Sequence, residues 1–159
     1  MVANGIIMSQ IIYLIQAWGG CSDYLIAAIQ VIQNRAARLV TKLDWYTSTS
    51  TLLNQCGWLS VRQLIIYHSL LMIFKIKTDK KPVYFHQKIS KQFNYKTRFA
   101  SDNSVKIDQQ VKKEISQQKF LYKFSKQWNE LPSEIKHEQN VKQFKVKLKL
   151  WVRSNVPVK

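Results

Sequence analysis

The sequence predicts a mainly α fold: an N-terminal helical bundle, then a basic and partly irregular region, then C-terminal helices. Through residues 4–78, apolar side chains recur at steps of three and four, which is the period of an α-helix. The period is lost after Pro82 and returns at Phe120. We therefore expect three segments: a helical bundle over 1–82, a basic linker or small hairpin over 83–118, and a C-terminal helical segment over 119–159.

Two helices are predicted near the N-terminus, separated by a pair of glycines. The first is expected over residues 4–17 and ends at Gly19-Gly20, and the second is expected over residues 22–43. The residues of the first helix expected in the core are Ile7, Ile11, Leu14 and Ile15. The stripe of the second helix expected to face the core consists of Leu25, Ile29, Ile32, Ala36, Leu39 and Leu43.

The best-specified helix start is the segment LSVRQL at residues 59–64. The hydroxyl of Ser60 can accept from the amide of Gln63, and the Gln63 side chain can reach back, which forms a capping box. Leu59 and Leu64 occupy the positions of a hydrophobic staple. The helix that opens here is expected to end before Pro82, because proline has no amide hydrogen to donate.

The C-terminal part of the chain offers two kinds of element. Ser104–Val111 and Ile115–Leu121 are predicted to pair as a small hairpin. Helical spacing resumes with Phe120, Phe124 and Trp128 and stops at Leu131-Pro132. We expect Trp128, like Trp58 before the capping box, to lie in the core.

The last element, FKVKLKLWV at residues 144–152, fits two periods. Strict alternation suits a strand, whereas the spacing of Phe144, Leu148 and Trp151 or Val152 suits a helix. We favour the helix, because Asn140 is a good N-cap and no turn signal follows it.

The charge balance is strongly basic and uneven. The chain has 25 Lys and Arg against 9 Asp and Glu, a formal net charge of +16. Residues 1–70 carry four basic and two acidic side chains, a net of +2, so residues 71–159 carry a net of +14. A field of this sign favours a polyanion, and we rank RNA or DNA above an anionic membrane surface.

The two cysteines and the apolar N-terminus indicate the cellular compartment of the protein. Cys21 and Cys56 match no metal or redox spacing and are expected to be free thiols in a reducing compartment. The apolar stretch 6–32 is interrupted by glutamines, Asp23 and two glycines, so it predicts neither a membrane span nor a secretory signal. We expect an intracellular protein, nuclear or cytoplasmic.

Catalytic signatures are missing from the sequence. The nine acidic residues include no adjacent pair and no Asp-x-Asp, whereas two-metal chemistry needs clustered carboxylates. The three histidines are not at ligand spacing, and the four glycines form no phosphate-binding loop. We therefore predict no catalytic residue, no metal, no cofactor and no small-molecule substrate, and hence no enzyme.

Two basic stripes are the main functional signal. One lies in QNRAARLVTKL at residues 33–43 and the other on the last helix, each with basic residues three and four apart. Each stripe is either a row of phosphate contacts or a solvated flank. We rank the first stripe higher, because it holds three of the four basic residues of the N-terminal half. The candidate nucleic-acid-binding residues are Arg35, Arg38, Lys42, Arg62, Lys142, Lys145 and Lys149.

Three segments carry a family resemblance: IQNRAARLVT (32–41), GWLSVRQLIIYHSLLMIFK (57–75) with the following KKPVYF, and KQWNELPSEI (126–135) with a trailing FKVKLKLW. In this order and spacing they resemble the C-terminal region of reverse transcriptases from non-LTR retrotransposons, the jockey-like LINE-type elements of animals. The resemblance implies a thumb-like bundle over 1–82, in which Arg35, Arg38 and Lys42 would follow a template–primer or target backbone.

The family's catalytic aspartate pair is absent, as is the Cys/His knuckle that some of its members carry. The resemblance therefore implies a piece of an RNA-directed DNA polymerase without its active site. We expect Met1 to open either a truncated copy of such an element or a gene model built on one.

Two function classes follow from the sequence. The preferred one is a non-catalytic, sequence-nonspecific nucleic-acid-binding fragment whose partner is the RNA or DNA backbone. The alternative is a basic amphipathic protein that binds an anionic membrane or an acidic protein partner. A decayed fragment without a selected function is the third reading, and the oligomeric state is left open.

Overall fold

The computed structural model describes residues 4–89, 103–105 and 120–158. Within these ranges the protein is mainly α-helical, as predicted, and contains no strand. After a π-helical turn at Asn4–Met8, the helices in chain order are α1 (Ser9–Ile12), α2 (Ile15–Trp18), α3 (Asp23–Thr41), α4 (Thr49–Cys56), α5 (Val61–Asp79), α6 (Val83–Ile89), α7 (Phe120–Asn129), α8 (Ser133–Lys136) and α9 (Val141–Asn155).

The chain divides into two compact units. The first comprises Met1–Ile66 and Val152–Lys159, and the second comprises Tyr67–Trp151. Helices α5 and α9 therefore each contribute residues to both units. The division expected from composition, at residues 82 and 118, stays a prediction.

In the first unit, the predicted single helix over residues 4–17 is wrong, because it is broken between α1 and α2. Leu14 has a left-handed backbone (φ 48°) and is 58% exposed rather than buried. The indole of Trp18 donates to the carbonyl of Tyr13 at 2.9 Å, which satisfies a carbonyl freed by the break. Ile11 and Ile15 are buried, as predicted.

The predicted extent of α3 is nearly right, but the predicted core face is wrong. Of the expected stripe only Ala36 is buried, whereas Leu25, Ile32 and Leu39 are 50%, 57% and 80% exposed. The other residues of α3 that are buried lie outside the expected stripe: Ile26, Gln30, Gln33 and Ala37.

Two glutamines explain this orientation of α3. The Gln30 side-chain oxygen accepts from the amide of Val61 at 2.8 Å, and Gln33 donates to the carbonyl of Leu59 at 2.9 Å. Gln30 also donates to Gln33 at 2.8 Å. Because these buried amides are satisfied by the chain at the start of α5, the polar side of α3 can face inward.

The capping box that starts α5 is confirmed. The amide of Ser60 donates to the Gln63 side chain at 3.0 Å, and the amide of Gln63 donates to the Ser60 hydroxyl at 3.3 Å. Gln63 also donates to the carbonyl of Val156 at 2.8 Å, so the end of the chain is tied to this helix start within the first unit. Trp58, just before the box, is buried as predicted.

Three stacked aromatic side chains form the core of the second unit. The rings of Phe74 and Phe144 stack with centroids 4.0 Å apart, and the Trp128 and Phe144 centroids are 6.0 Å apart. Trp128 is 1% exposed, and Phe144 and Leu148 are fully buried. The helical choice for the last element is therefore confirmed, and the Asn140 side chain caps α9 by accepting from the amide of Lys142 at 2.9 Å.

A polar cluster holds the short segment 103–105 to the helices of the second unit. The carbonyl of Asn103 accepts from the indole of Trp128 at 3.1 Å and from the ammonium of Lys77. The amide and carbonyl of Val105 both pair with the side chain of Asn129, at 2.8 and 2.9 Å. Burial, together with the ammonium of Lys136, lowers the pKa of Lys77 from 10.5 to about 8.

The region predicted as a linker or small hairpin over 83–118 is helical at its N-terminal end. Residues 84–89 were expected to lack helical structure, but they belong to α6, which starts directly after Pro82. Pro82 suits this position, because a helix start leaves its first amides without intrahelical partners. The predicted hairpin falls mostly on residues 106–119, outside the described residues, and Phe120 and Leu121 open helix α7.

Candidate nucleic-acid interface

The exposed side of α9 carries three lysines in the second unit. Lys142, Lys145 and Lys149 are exposed and are spaced by three and four residues, so they lie along one side of the helix. Phe144 and Leu148 are buried on the other side. Because those two side chains anchor the helix, the three ammonium groups are held outward.

Helix α5 adds two basic side chains to this surface. Burial and the ammonium groups of Lys145 and Lys75 lower the pKa of His68. The charges of Lys145 on α9 and Lys75 on α5 therefore act on one ring, and the stack of Phe74 on Phe144 packs the two helices against each other. We call this basic surface the α5–α9 surface; its members are His68, Lys75, Lys142, Lys145 and Lys149.

The acidic side chain nearest in sequence to the three α9 lysines already has a partner. Glu138 accepts from the ammonium of Lys147 at 2.7 Å, and this bond, with the amide of Asn140, lowers the pKa of Glu138. No described carboxylate pairs with Lys75, Lys142, Lys145 or Lys149. The positive charge of the α5–α9 surface is therefore not neutralised within the described part of the chain.

The predicted stripe on α3 is split in the structure. Arg38 lies over the ring of Trp45, 4.6 Å from its centroid, and donates to the Trp45 carbonyl at 3.3 Å. Its Nε is buried without a hydrogen-bond partner among the described residues. Arg35 and Lys42 are exposed. Of the three predicted contacts, one is thus held against the loop that follows α3, and two face solvent.

Arg62, the remaining predicted site residue, forms an ion pair with Asp23 at 2.9 Å. Both side chains are partly exposed, so the pair adds little stability, but it occupies the guanidinium. Arg62 and Asp23 belong to the first unit, whereas Lys142, Lys145 and Lys149 lie along one helix in the second unit.

Sequence reasoning missed His68 and Lys75. Their spacing of seven residues, two helical turns, places both on one side of α5 and was visible in the sequence. What the sequence could not give is the packing of Phe74 on Phe144, which sets this side of α5 beside the lysines of α9.

Within the ranges that the structure covers, no three His, Cys, Asp or Glu side chains cluster as metal ligands. Cys21 and Cys56 are free thiols, as predicted, and both are half-buried. No single described helix has the length and apolar character needed to cross a membrane. Helices α4 and α5 have that length and apolar character only when taken together, and this pair is bent by 50°.

Comparison of the chain with protein-family models, curated proteins and solved structures gives no match. The class that fold and surface define is a mainly α-helical protein with an exposed basic face. The resemblance to non-LTR reverse transcriptases stays a prediction.

Proposed function

We propose that this protein is a non-catalytic module that binds the backbone of RNA or DNA without sequence preference. The observation that carries the proposal is the α5–α9 surface: Lys142, Lys145 and Lys149 follow one side of α9, the charges of Lys145 and Lys75 act on His68, and none of the four lysines pairs with a described carboxylate. Phosphate is the ligand that satisfies such a row of ammonium groups, because each contact releases a condensed counterion.

The geometry of α9 suits a strand of phosphates. Lys142 and Lys149 are seven residues apart, about 10 Å along the axis at roughly 1.5 Å per residue. That distance corresponds to about three nucleotides at roughly 3.4 Å per nucleotide in one strand. Lysines act as point charges rather than as bidentate readers of base edges, which favours binding without sequence preference.

The α5–α9 surface replaces α3 as the principal contact in this proposal. The sequence ranked Arg35, Arg38 and Lys42 first, but Arg38 is engaged with Trp45. The resemblance to retrotransposon reverse transcriptases agrees with a backbone-binding role and supplies a hypothesis for its setting, a polymerase that holds a template–primer.

Salt-titrated binding tests this function class. The wild-type protein is titrated against single-stranded RNA, single-stranded DNA, duplex DNA, and anionic and neutral vesicles over a range of salt concentrations. We expect binding to all three nucleic acids, with log affinity falling linearly and steeply with log salt. Binding to anionic vesicles alone, with a part that salt does not remove, would instead support the membrane alternative.

A further inference from the structure

The exposed face of α3 has a regular pattern that the proposed function does not use. Leu25, Ile32 and Leu39 are seven residues apart and at least half exposed. Ala28 and Arg35, also exposed, fall between them on α3, and Lys42, exposed at the left-handed C-cap directly after the helix, continues the steps of three and four in the sequence. We call this row of six side chains the α3 seam.

The orientation of the α3 seam is fixed by the opposite side of the helix. Gln30 and Gln33 are buried, and they hold the amide of Val61 and the carbonyl of Leu59 at 2.8 and 2.9 Å. Turning α3 to bury its aliphatic residues would break both bonds and leave buried polar groups unpaired. The bonds of Gln30 and Gln33 therefore keep the aliphatic row exposed in the folded first unit.

Steps of three and four are the spacing by which one helix packs along another. In the α3 seam, the aliphatic residues occupy one heptad position, and Ala28, Arg35 and Lys42 occupy the second. A single helix can therefore pack along this row. Its aliphatic side chains would contact Leu25, Ile32 and Leu39 at the first heptad position. At two of the three second positions it would meet a cation, which needs a counter-charge.

The charges in the α3 seam determine which kind of partner can pack against it. A second copy of this chain would bring its own Arg35 and Lys42, and the one carboxylate of α3, Asp23, is already paired with Arg62. Two such faces would bury cations without counter-charges, which is strongly unfavourable. A phosphate backbone would satisfy the cations but leave Ile32 and its aliphatic neighbours in water.

We propose that the α3 seam docks an amphipathic helix of a partner protein, one that carries aliphatic side chains every seven residues and carboxylates opposite Arg35 and Lys42. The docking site uses residues of the first unit only, whereas the α5–α9 surface belongs to the second. The two proposals can therefore fail separately.

The test uses two synthetic peptides of three heptads. Both have Leu at the first position of each heptad and Leu at the fourth position of the first heptad. The acidic peptide has Glu at the fourth position of the second and third heptads, and the basic peptide has Lys there. Like charges in the seam discourage either peptide from pairing with itself. We expect the acidic peptide to bind the full chain at least tenfold more tightly than the basic one.

Three variants locate the binding. Ile32→Ala is expected to weaken the acidic peptide at least tenfold, while Val146→Ala, at an aliphatic residue of α9 that is 62% exposed, leaves it unchanged. The double variant Arg35→Glu/Lys42→Glu is expected to reverse the preference and bind the basic peptide. All substituted side chains are exposed, and circular dichroism melting of each variant confirms that it is folded.

Three results would overturn the docking proposal. The first is equal binding of both peptides, and the second is self-association of the wild type that Ile32→Ala abolishes. The third is a lower salt slope for nucleic acid in Arg35→Glu/Lys42→Glu than in the matched double variant Lys80→Glu/Lys81→Glu. That last result would assign the α3 seam to phosphates.

Discussion

The side-chain oxygen of Gln30 accepts a hydrogen bond from the amide of Val61, 2.8 Å away, and so satisfies the first amide of helix α5 from a different helix. The same side chain donates to Gln33 and to Asn34, both at 2.8 Å. One buried glutamine thus fixes the rotation of α3 and the start of α5 together.

Replacing Gln30 with Leu is expected to destabilise the protein by about 1–3 kcal/mol, because the amide of Val61 is left buried and unpaired. The free energy of unfolding in urea measures the effect. Gln55→Leu, at an exposed position of α4, is the matched control and should change that free energy by less than about 0.5 kcal/mol. Equal stability of the two variants would show that water replaces the Gln30 side chain.

Trp128→Ala is expected to cost about 3–5 kcal/mol, because a buried ring that stacks near Phe144 is removed and the carbonyl of Asn103 loses a donor. Trp45→Ala, at a ring that is 67% exposed, is the control and should cost far less. Thermal unfolding compares them. A melting temperature of Trp128→Ala equal to that of the wild type would contradict the burial of this side chain.

The lowered pKa of Lys77 predicts that the free energy of unfolding depends on pH. This pKa is about 8 in the folded protein and near 10.5 when unfolded, so between these values the unfolded chain binds more protons and stability rises with pH. Below about 8 the buried charge opposes folding, by on the order of 1–2 kcal/mol after allowance for partial exposure.

Lys77→Met should therefore be more stable than the wild type at neutral pH, and this advantage should shrink as the pH rises through 8 toward 10.5. Urea unfolding at several pH values measures it, with Lys75→Met, at an exposed position, as the control. A constant difference across this range would mean that Lys77 keeps an ordinary pKa.

His68 reports on ligand binding at the α5–α9 surface. Its pKa is lowered by burial and by Lys145 and Lys75, so phosphates that pair with those lysines should raise it. By linkage, nucleic-acid affinity should increase as the pH falls through the pKa of His68. The ring signals of His68 in NMR titrations, with and without an oligonucleotide, measure the shift. A pKa that the oligonucleotide leaves unchanged would place the ligand elsewhere.

The helices were predictable where local signals suffice. The reciprocal bonds of Ser60 and Gln63, and the helical choice for residues 144–152, follow from residues near each other in the chain. The buried face of α3 was not predictable, because periodicity counts Gln30 and Gln33 as polar and their partners lie 31 and 26 residues away. The break at Leu14 was also missed, although the bond that satisfies the freed carbonyl of Tyr13 comes from Trp18, which is close in sequence.

The candidate site was predictable in part for the same reason. The spacing of Lys142, Lys145 and Lys149 is a local property of one helix. The capture of Arg38 by Trp45 and the pairing of Arg62 with Asp23 depend on the fold, so sequence alone counted both guanidinium groups as available.

The central claim is that the α5–α9 surface contacts phosphates, and the salt dependence of a charge-reversed variant tests it most directly. The variant is Lys142→Glu/Lys145→Glu/Lys149→Glu. The control, Lys80→Glu/Lys81→Glu/Lys126→Glu, changes the net charge equally at three other exposed lysines. Both are titrated with the same RNA and DNA over the same salt range as the wild type.

We predict that the slope of log affinity against log salt falls by about two to three units in the α9 variant, since each lost contact removes roughly 0.7–0.9. The control should retain nearly the wild-type slope. Equal slopes for the α9 variant, the control and the wild type, with all three proteins folded, would contradict the account and leave these lysines as a solvated face of the helix.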